Sequence, residues 1–291
     1  MKVLITGADG QLGSEIRELA ANYSRLDLFF RNSHELDICI FEAIQNFIID
    51  NKINVVINCA AYTAVDKAEE DTEISERVNS MGVSNLVNAL AKVNGKLIHI
   101  STDFVFDGDH AIPYKESDPV NPIGVYGKTK RAGELAVINS NIDAIVIRTS
   151  WLYSSYGNNF VKTILRLGNE KKSINVIVDQ IGTPTYAKDL AKTCLDILCG
   201  ESLTKINNDG RIYHFSNEGV TSWYDFAISI MELVAGKCKV NPIQAKNYPT
   251  LAKRPQYSVL DKSKIKKDFK IKIPHWRDSL EDCIKKIKTS L

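Results

Sequence analysis

Two side chains with acid–base chemistry are four positions apart in the segment Tyr126-Gly-Lys-Thr-Lys130. On a helix, residues at positions i and i+4 share one face, so the phenol and the ammonium group are expected to lie together. A phenol ordinarily ionises near pH 10, and a nearby cation lowers that pKa. The pair is therefore predicted to donate a proton to a carbonyl oxygen while a hydride reaches the carbonyl carbon.

A second polar group precedes this pair. Ser101-Thr102-Asp103 follows an apolar run, and ligands of parallel α/β sheets bind at the carboxyl ends of strands. The hydroxyl of Thr102 is expected to hydrogen-bond the same carbonyl oxygen, and Lys130 is also expected to hold a nicotinamide ribose. Tyr126 and Lys130 are accordingly predicted to contact the cofactor as well as the substrate.

A glycine-rich turn near the N-terminus predicts where a dinucleotide binds. Gly7-Ala-Asp-Gly10-Gln11-Leu12-Gly13 follows the first predicted strand and begins the first predicted helix. Glycines in this position let the backbone approach a pyrophosphate, which is stabilised by the positive end of the helix. Gly7, Gly10, Gln11, Leu12 and Gly13 are therefore predicted to bind the cofactor.

The segment after the second predicted strand bears on the choice of cofactor. Phe29-Phe30-Arg31-Asn32 contains no carboxylate for a ribose 2′-hydroxyl, and Arg31 is able to pair with a 2′-phosphate. NADPH is therefore favoured, with NADH left open and an ordinary solvated arginine as the alternative interpretation. Further cofactor contacts are predicted from residues that follow the second and third strands: Asp37, Ile38, Ala60, Ala61 and Tyr62.

Alternating strands and helices are needed to position these groups. Apolar runs predict strands at 3–5, 26–30, 55–57, 96–100 and 144–147. Amphipathic stretches predict helices at 11–21, 41–50, 74–93 and 126–139, and further ones at 160–167, 187–198 and 223–235. This order is typical of an α/β fold, a Rossmann-type doubly wound parallel sheet. Residues 1–150 are predicted to form an NAD(P)-binding Rossmann domain. Residues 151–291 are predicted to form mainly a smaller substrate-binding lobe, with some segments returning to the core.

The composition excludes several other classes of protein. Of the 291 residues, 44% are hydrophobic, which excludes a disordered chain, and the formal net charge of +2 gives no reason to expect nucleic acid as a partner. Six cysteines at irregular spacing, without a C-x-x-C motif, predict neither a zinc site nor a disulfide framework. The absence of a long apolar run or a signal-peptide pattern predicts a cytoplasmic protein with no membrane partner.

The glycine turn, the Ser-Thr pair and Y-x-x-x-K together resemble the extended short-chain dehydrogenase/reductase superfamily. Six further motifs, in order along the chain, are similar to the dTDP-4-dehydrorhamnose reductase family. They are Asn58-Cys-Ala-Ala-Tyr-Thr-Ala-Val-Asp66, Ile100-Ser-Thr-Asp-Phe-Val-Phe-Asp-Gly108, Arg148-Thr-Ser-Trp-Leu-Tyr153, Gly157-Asn-Asn-Phe160, Asp179-Gln-Ile-Gly-Thr-Pro-Thr185 and Arg254-Pro255.

The resemblance implies reduction of the C4 ketone of dTDP-4-dehydro-L-rhamnose with NADPH or NADH. Tyr126 would be the proton donor, Lys130 its partner and Thr102 the third catalytic group, and Asp103 would lie beside the sugar. The resemblance further implies a set of substrate-binding residues: Thr63, Val65, Trp151, Asn159 and Arg254. Trp151 would pack on the sugar or nucleotide, and Arg254 would neutralise a diphosphate oxygen. The chain departs from the family at Phe104, where a tyrosine is common.

Other functions remain open at this point. An epimerase would use the same Tyr126 and Lys130 and retain its NAD. A dehydratase would need an acid–base group beside Asp103, where the chain has Phe104. A non-catalytic regulatory subunit of the kind associated with methionine adenosyltransferase also resembles the family. The family implies a possible homodimer, in some members with Mg²⁺ at its interface, but no metal site is predicted: Asp189 and Glu281 are only loose candidates.

Overall fold

The main sheet follows the predicted Rossmann topology. A computed structural model describes residues 1–200 and 211–289, and within them this sheet has six parallel strands in the order β10-β5-β4-β3-β1-β2. The strands are β1 (Lys2–Thr6), β2 (Asp27–Arg31), β3 (Val55–Asn58), β4 (Lys96–Thr102), β5 (Asp143–Thr149) and β10 (Ile212–His214). The predicted fold class, a doubly wound parallel α/β sheet, is confirmed.

Helices cover both faces of the sheet because both faces of its strands are apolar. Val3 and Ile5 of β1 pack toward one helical layer and Leu4 toward the other, and all three side chains are fully buried. The first layer contains α1 (Gln11–Leu19) and α8 (Ala187–Cys199). The second layer contains α2 (Phe41–Asp50), α5 (Gly82–Ala91) and α6 (Val125–Ile138).

The structure differs from the single helix predicted over residues 74–93. A short α3 (Val65–Ala68) is followed by α4 (Thr72–Glu76), a π turn (Arg77–Met81) and then α5. At the π turn, the buried side chain of Asn79 bonds the backbone of Tyr62. This contact joins residues far apart in the chain, so the hydrophobic periodicity does not register it.

The second half of the chain forms a smaller layer around a core of its own. Its helices are α7 (Phe160–Glu170), α9 (Trp223–Leu233) and α11 (Trp276–Thr289), whereas α10 (Ser263–Phe269) packs against the main sheet beside β10. Its strands pair in twos: β6 (Leu152–Tyr153) with β9 (Thr185–Tyr186), β7 (Ser173–Ile177) with β12 (Lys239–Ile243), and β8 (Ile181–Gly182) with β11 (Thr221–Ser222). Strand β10 and helix α8 pack in the main sheet layers instead. No helix in ranges 1–200 and 211–289 is long and apolar enough to cross a membrane.

A buried ion pair attaches helix α6 to the sheet. Glu134 of α6 accepts two hydrogen bonds from Arg148 of β5, each 2.8 Å long, and both side chains are almost completely inaccessible to solvent. The same carboxylate accepts a 2.6 Å bond from Ser101 Oγ of β4 and a 2.8 Å bond from Arg131. With these partners, the pKa of Glu134 stays below its ordinary value despite the opposing effect of burial.

His214 of β10 closes this polar cluster on the far side of Arg148. Its Nε2 lies 3.5 Å from Arg148 Nη1, which can only donate, and its Nδ1 lies 3.1 Å from the carbonyl oxygen of Tyr114. These partners assign the neutral tautomer with the proton on Nδ1. Burial, reinforced by the Arg148 charge, lowers the pKa of His214 to about 3, so the ring stays neutral at physiological pH.

We expect Glu134→Gln to destabilise the protein strongly, because it leaves the guanidinium of Arg148 buried without a counter-charge. Removing one partner of such a pair costs about 3 kcal/mol or more in the free energy of unfolding, measurable by urea titration. Glu170→Gln is the matched control, since Glu170 pairs with Arg166 on the exposed surface of α7 and its loss should cost under about 1 kcal/mol. Equal effects of the two substitutions would contradict the structural role assigned to Glu134.

Candidate active site

A cleft of about 960 Å³ opens at the carboxyl ends of the main strands, between the sheet and the second half of the chain. Most of the predicted site residues line it. They are Gly7, Gly10, Gln11, Leu12, Asp37, Ile38, Ala60, Ala61, Tyr62, Thr63, Val65, Thr102, Asp103, Tyr126, Lys130, Trp151 and Arg254. The lining does not include Gly13, Arg31 or Asn159. The functional role of each residue stays a prediction.

The glycine turn is shaped to bring backbone close to a ligand. Gly7 has φ of +62°, and a Cβ there would lie 2.7 Å from the backbone nitrogen of Ala60. A Cβ on Gly10 would meet only the carbonyl oxygen of Gly7, at 3.2 Å, so this position is open toward the cleft. Gly10 is also the N-cap of α1 and supplies no side-chain acceptor, which leaves the first-turn amides free for an anion. These features fit the pyrophosphate of a dinucleotide.

Gly13 serves packing and does not reach the cleft. A Cβ on Gly13 would lie 2.6 Å from the backbone of Ala8, so the residue permits α1 to fold tightly against the turn. The cleft is lined by Gly7 and Gly10 instead, and the cofactor contact of Gly13 stays a prediction.

Arg31 does not line the cleft. Its Nη1 donates a 2.7 Å bond to the carbonyl oxygen of Phe30, and its guanidinium lies 4.8 Å from the ring centroid of Phe47 on α2. Its contact with a 2′-phosphate stays a prediction. Directly after β2, Asn32 and Ser33 line the cleft, and the sequence patterns had not predicted them as site residues.

Tyr126 and Lys130 face the cleft from α6. Lys130 is buried and donates a 2.7 Å bond to the carbonyl oxygen of Ile100, and burial lowers the pKa of its ammonium group to about 8. Burial raises the pKa of Tyr126 to about 12, and the Asp103 carboxylate adds to this effect, while a hydrogen bond with Thr102 opposes it. The phenol pKa therefore moves opposite to the direction expected from Lys130 alone. A phenol that keeps its proton at neutral pH is suited to act as a proton donor.

Close backbone contact places the start of α6 beside the end of β4. A Cβ on Gly127 would lie 2.2 Å from the carbonyl oxygen of Phe104, so only glycine allows this approach. The ring of Phe104 contacts that of Tyr126 edge to face, with centroids 5.5 Å apart. Phe104 therefore holds the phenol ring in place at the position where the family often has tyrosine.

Asp103 is a buried carboxyl group in the lining of the cleft, next to Thr102. It is 2% exposed, and burial raises the pKa of its carboxyl to about 6. Thr102 Oγ1 donates a 3.1 Å bond to Asp103 Oδ1 and accepts a 3.2 Å bond from the amide of Phe104. The hydroxyl of Thr102 is thus oriented by its own turn, between the carboxyl of Asp103 and the phenol of Tyr126.

An aromatic wall forms the opposite side of the cleft. Trp151 and Trp223 stack with ring centroids 3.6 Å apart and an interplanar angle of 10°, and both line the cleft. Trp151 has φ of +47°, an uncommon conformation for a bulky residue, and a Cβ on Gly182 would lie 2.6 Å from its indole. Trp223 was missed by sequence analysis because it belongs to no motif and comes near Trp151 only through tertiary packing.

Arg254 reaches the cleft with its charge already paired. Its Nη2 lies 2.6 Å and its Nη1 3.1 Å from the two carboxylate oxygens of Asp66 on α3. The same carboxylate accepts a 3.1 Å bond from the amide of Ala252. A segment of the second half is thereby attached to the Rossmann half at the rim of the cleft.

Asn159 supports the cleft without lining it. Its side-chain nitrogen lies within hydrogen-bond distance of Gln11 Oε1 (3.0 Å) and the carbonyl oxygens of Ser154 (2.7 Å) and Tyr156 (3.3 Å). Its side-chain oxygen accepts from the amide of Lys162 and caps α7. Its polar atoms are thus engaged by the loop and the helix end, and its contact with the substrate stays a prediction. Its neighbours Gly157 and Asn158 line the cleft instead.

The structure assigns no metal site. Asp189 accepts a 2.7 Å bond from Asn217 and a 2.6 Å bond from Ser279, and Glu281 pairs with Lys285 at 2.6 Å. Across residues 1–200 and 211–289, no group of three or more histidine, cysteine or acidic side chains is arranged to hold a metal ion. The two loose candidates for Mg²⁺ are thus occupied by protein partners.

Comparisons with known proteins agree with this geometry. A family model described as the RmlD substrate binding domain matches residues 1–289. The chain is 42% identical to a dTDP-4-dehydrorhamnose reductase of Aggregatibacter actinomycetemcomitans, with 97% of each chain covered. A solved dTDP-4-dehydrorhamnose reductase from Clostridium acetobutylicum is 40% identical, with a TM-score of 0.92 over 99% of this chain and 100% of that one. Another from Bacillus anthracis, in complex with NADP, is 36% identical, with a TM-score of 0.90 over 98% and 99%.

The raised pKa of Asp103 predicts a pH-dependent stability. Its pKa of about 6 in the folded protein exceeds the ordinary 3.8, so its contribution to stability is fully present below about pH 4 and is lost as the pH rises through 6. Relative to Asp103→Asn, the wild type should therefore lose about 2 kcal/mol in the free energy of unfolding between pH 4 and pH 7.

Denaturant titrations of both proteins across this range measure that difference. Asp66→Asn is a control of opposite sign, because the hydrogen bond from Arg254 lowers the pKa of Asp66. There the wild type should gain stability relative to its variant as the pH rises from about 2 to 5. Stability curves of wild type and Asp103→Asn that run parallel would show that Asp103 is not held protonated by burial.

Proposed function

The chain belongs to the dTDP-4-dehydrorhamnose reductase family, whose RmlD substrate binding domain spans residues 1–289, and on this premise we propose its reaction. It reduces the C4 ketone of dTDP-4-dehydro-L-rhamnose to dTDP-L-rhamnose. The observation that carries the proposal is the convergence of Thr102, Tyr126 and Lys130 in one cleft that also contains the open glycine turn.

NADPH is the proposed cofactor, and it supplies the hydride when bound. Support comes from the Bacillus anthracis relative in complex with NADP and from the glycine turn, which leaves room for a pyrophosphate beside Gly10. In this proposal, the first-turn amides of α1 hold the pyrophosphate, Asp37 and Ile38 lie at the adenine end, and residues 60–62 pass beneath the nicotinamide half. NADH remains an alternative cofactor.

Tyr126 donates the proton to the ketone oxygen. Because its pKa is raised to about 12, the phenol holds that proton at neutral pH until negative charge develops on the substrate oxygen. The Thr102 hydroxyl, which accepts from the amide of Phe104, turns its single proton from Asp103 Oδ1 to the same oxygen when the substrate is bound. Lys130, which keeps a mostly protonated ammonium group at pH 7 with a pKa of about 8, stabilises the phenolate that remains.

The sugar nucleotide is proposed to bind between these groups and the aromatic wall. The stacked indoles of Trp151 and Trp223 offer a flat apolar surface, and Thr63 and Val65 contribute at the opposite rim. Arg254 pairs with the diphosphate, which must then compete with or share the Asp66 contact. Asp103, whose pKa is about 6, accepts from or donates to a sugar hydroxyl according to its protonation.

The proposal also covers the oligomeric state of the enzyme, its location in the cell and its need for other ligands. A homodimer in the cytoplasm remains the prediction made from the sequence. The proposed function requires neither a metal ion nor a nucleic acid, since the reaction consists of a hydride transfer and a proton transfer.

The decisive assay supplies the 4-keto sugar nucleotide and follows the absorbance of NADPH or NADH. Oxidation of the cofactor with formation of dTDP-L-rhamnose is expected, and a wild-type protein that oxidises neither cofactor overturns the proposed function. An epimerase would instead retain tightly bound NAD through gel filtration. A regulatory subunit would bind nucleotide without turnover.

Tyr126→Phe should lower turnover by about two to four orders of magnitude, the usual contribution of a general acid, because it removes the proton and little else. NADPH binding, measured by fluorescence titration, should change little. Tyr23→Phe is the matched control: the Tyr23 hydroxyl bonds Asp196 outside the cleft and its loss should leave turnover intact. Near-normal turnover by Tyr126→Phe would exclude Tyr126 as the donor.

Arg31→Ala tests the proposed recognition of the 2′-phosphate. The stack on Phe47 and the bond to a neighbouring carbonyl are weak enough for the side chain to rotate toward a phosphate. A lost charge-assisted bond of about 1.5–3 kcal/mol should raise the KM for NADPH by about tenfold or more, with little change for NADH. The exposed Arg166→Ala serves as the control. Equal changes in the KM values for NADPH and NADH would show that Arg31 does not recognise the 2′-phosphate.

A further inference from the structure

The side chain of Asn79 clamps the backbone of the segment that follows β3. Asn79 lies in the π turn and is 1% exposed. Its Oδ1 accepts a 2.9 Å bond from the amide of Tyr62, and its Nδ2 donates a 3.1 Å bond to the carbonyl oxygen of the same residue. Both backbone groups of Tyr62 are thus held by one amide, as a neighbouring strand would hold them.

The same amide contacts the helix that carries the proton donor. Asn79 Nδ2 lies 3.2 Å from Thr129 Oγ1, and Thr129 Oγ1 donates a 3.0 Å bond to the carbonyl oxygen of Tyr126. Ser75 Oγ, one turn earlier in the chain, lies 3.0 Å from Thr129 Oγ1. A continuous polar bridge therefore runs from Tyr62 through Asn79 and Thr129 to Tyr126.

Backbone packing makes this bridge rigid. A Cβ on Gly133 of α6 would lie 2.2 Å from the carbonyl oxygen of Asn79, so the helix and the π turn touch backbone to backbone. With the helices this close, a shift of the π turn is transmitted to α6. Neither Asn79 nor Thr129 lines the cleft, so any effect on the reaction is indirect.

We propose that Asn79 is a positioning residue that sets the distance between the loop at 60–63 and the phenol of Tyr126. The inference rests on the proposed function, in which that loop carries the nicotinamide half of the cofactor and Tyr126 the transferred proton. The hydride must reach the carbonyl carbon and the proton must reach the carbonyl oxygen, so both donors have to be aligned with the same C=O bond. A displacement of about 1 Å is enough to lower the rate of such a step by about a hundredfold.

The test compares Asn79→Ala and Thr129→Val with Asn51→Ala. The first removes the clamp on Tyr62 and the second removes only the hydroxyl that links the clamp to α6. The third is a matched control, whose side chain bonds the carbonyl oxygen of Phe47 at the end of α2. Four quantities are measured on each full-length protein: kcat, the affinity for NADPH by fluorescence, the isotope effect with NADPH deuterated at the transferred position, and the exchange rate of the Tyr62 amide.

We expect Asn79→Ala to lower kcat at least tenfold and to raise the isotope effect, because misalignment slows hydride transfer itself. The affinity for NADPH should stay within about threefold, and the Tyr62 amide should exchange at least tenfold faster. Thr129→Val should lower kcat with little change in Tyr62 exchange. The double variant should be no slower than the worse single variant, since both act on one bridge. Asn51→Ala should leave all four quantities unchanged.

A purely structural role would lower the melting temperature of Asn79→Ala while leaving kcat and the isotope effect unchanged well below that temperature, and this result would overturn the proposal. If Asn79→Ala fails to fold, Thr129→Val, which keeps the clamp and the side-chain shape, decides between the two outcomes through kcat and the isotope effect. An inactive wild type would refute the proposed function separately. In that case an unchanged exchange rate of the Tyr62 amide in folded Asn79→Ala would still overturn the bridge.

Discussion

The active cleft depends on how helix α6 is attached to the sheet. Glu134 of α6 bonds Arg148 of β5 and Ser101 of β4 at 2.6–2.8 Å. The same helix presents Tyr126 and Lys130 to the cleft. A buried charge is tolerated only with a complete set of partners, so this cluster restricts the helix to one position. Tyr126 and Lys130 are thus placed by an ion pair, Glu134 with Arg148, neither partner of which lines the cleft.

Close backbone contact adds to that restriction. Gly127 approaches the carbonyl of Phe104 and Gly133 approaches that of Asn79, so α6 lies against its neighbours with no side chain between them. Gly7 likewise lies directly against the backbone of Ala60 in the loop after β3. These three contacts bring α6, the end of β4, the π turn and the loop after β3 together, and a side chain at any of the three glycines would push its neighbour away.

Local patterns in the sequence predicted the parts of this arrangement that depend on local structure. The glycine turn, the helical spacing of Tyr126 and Lys130, and the position of Thr102 at a strand end all follow from the order of residues, and the cleft contains them. Side-chain direction depends on tertiary neighbours. The ring of Phe47 contacts the guanidinium of Arg31, and the end of α7 engages Asn159. Trp223, the π turn at Asn79 and the direction of the Tyr126 pKa likewise emerged only from the folded molecule.

The contact between Gly182 and Trp151 links two positions that are distant in the chain. The indole occupies the volume that any Cβ at position 182 would need, and it is also backed by the ring of Trp223. Gly182 therefore cannot vary alone: a larger residue at 182 becomes acceptable only after the indole has been lost and the Ser258 hydroxyl, 2.8 Å from that Cβ, has moved. Divergence of this part of the cleft consequently has an order, in which the loss of the indole precedes any larger residue at position 182.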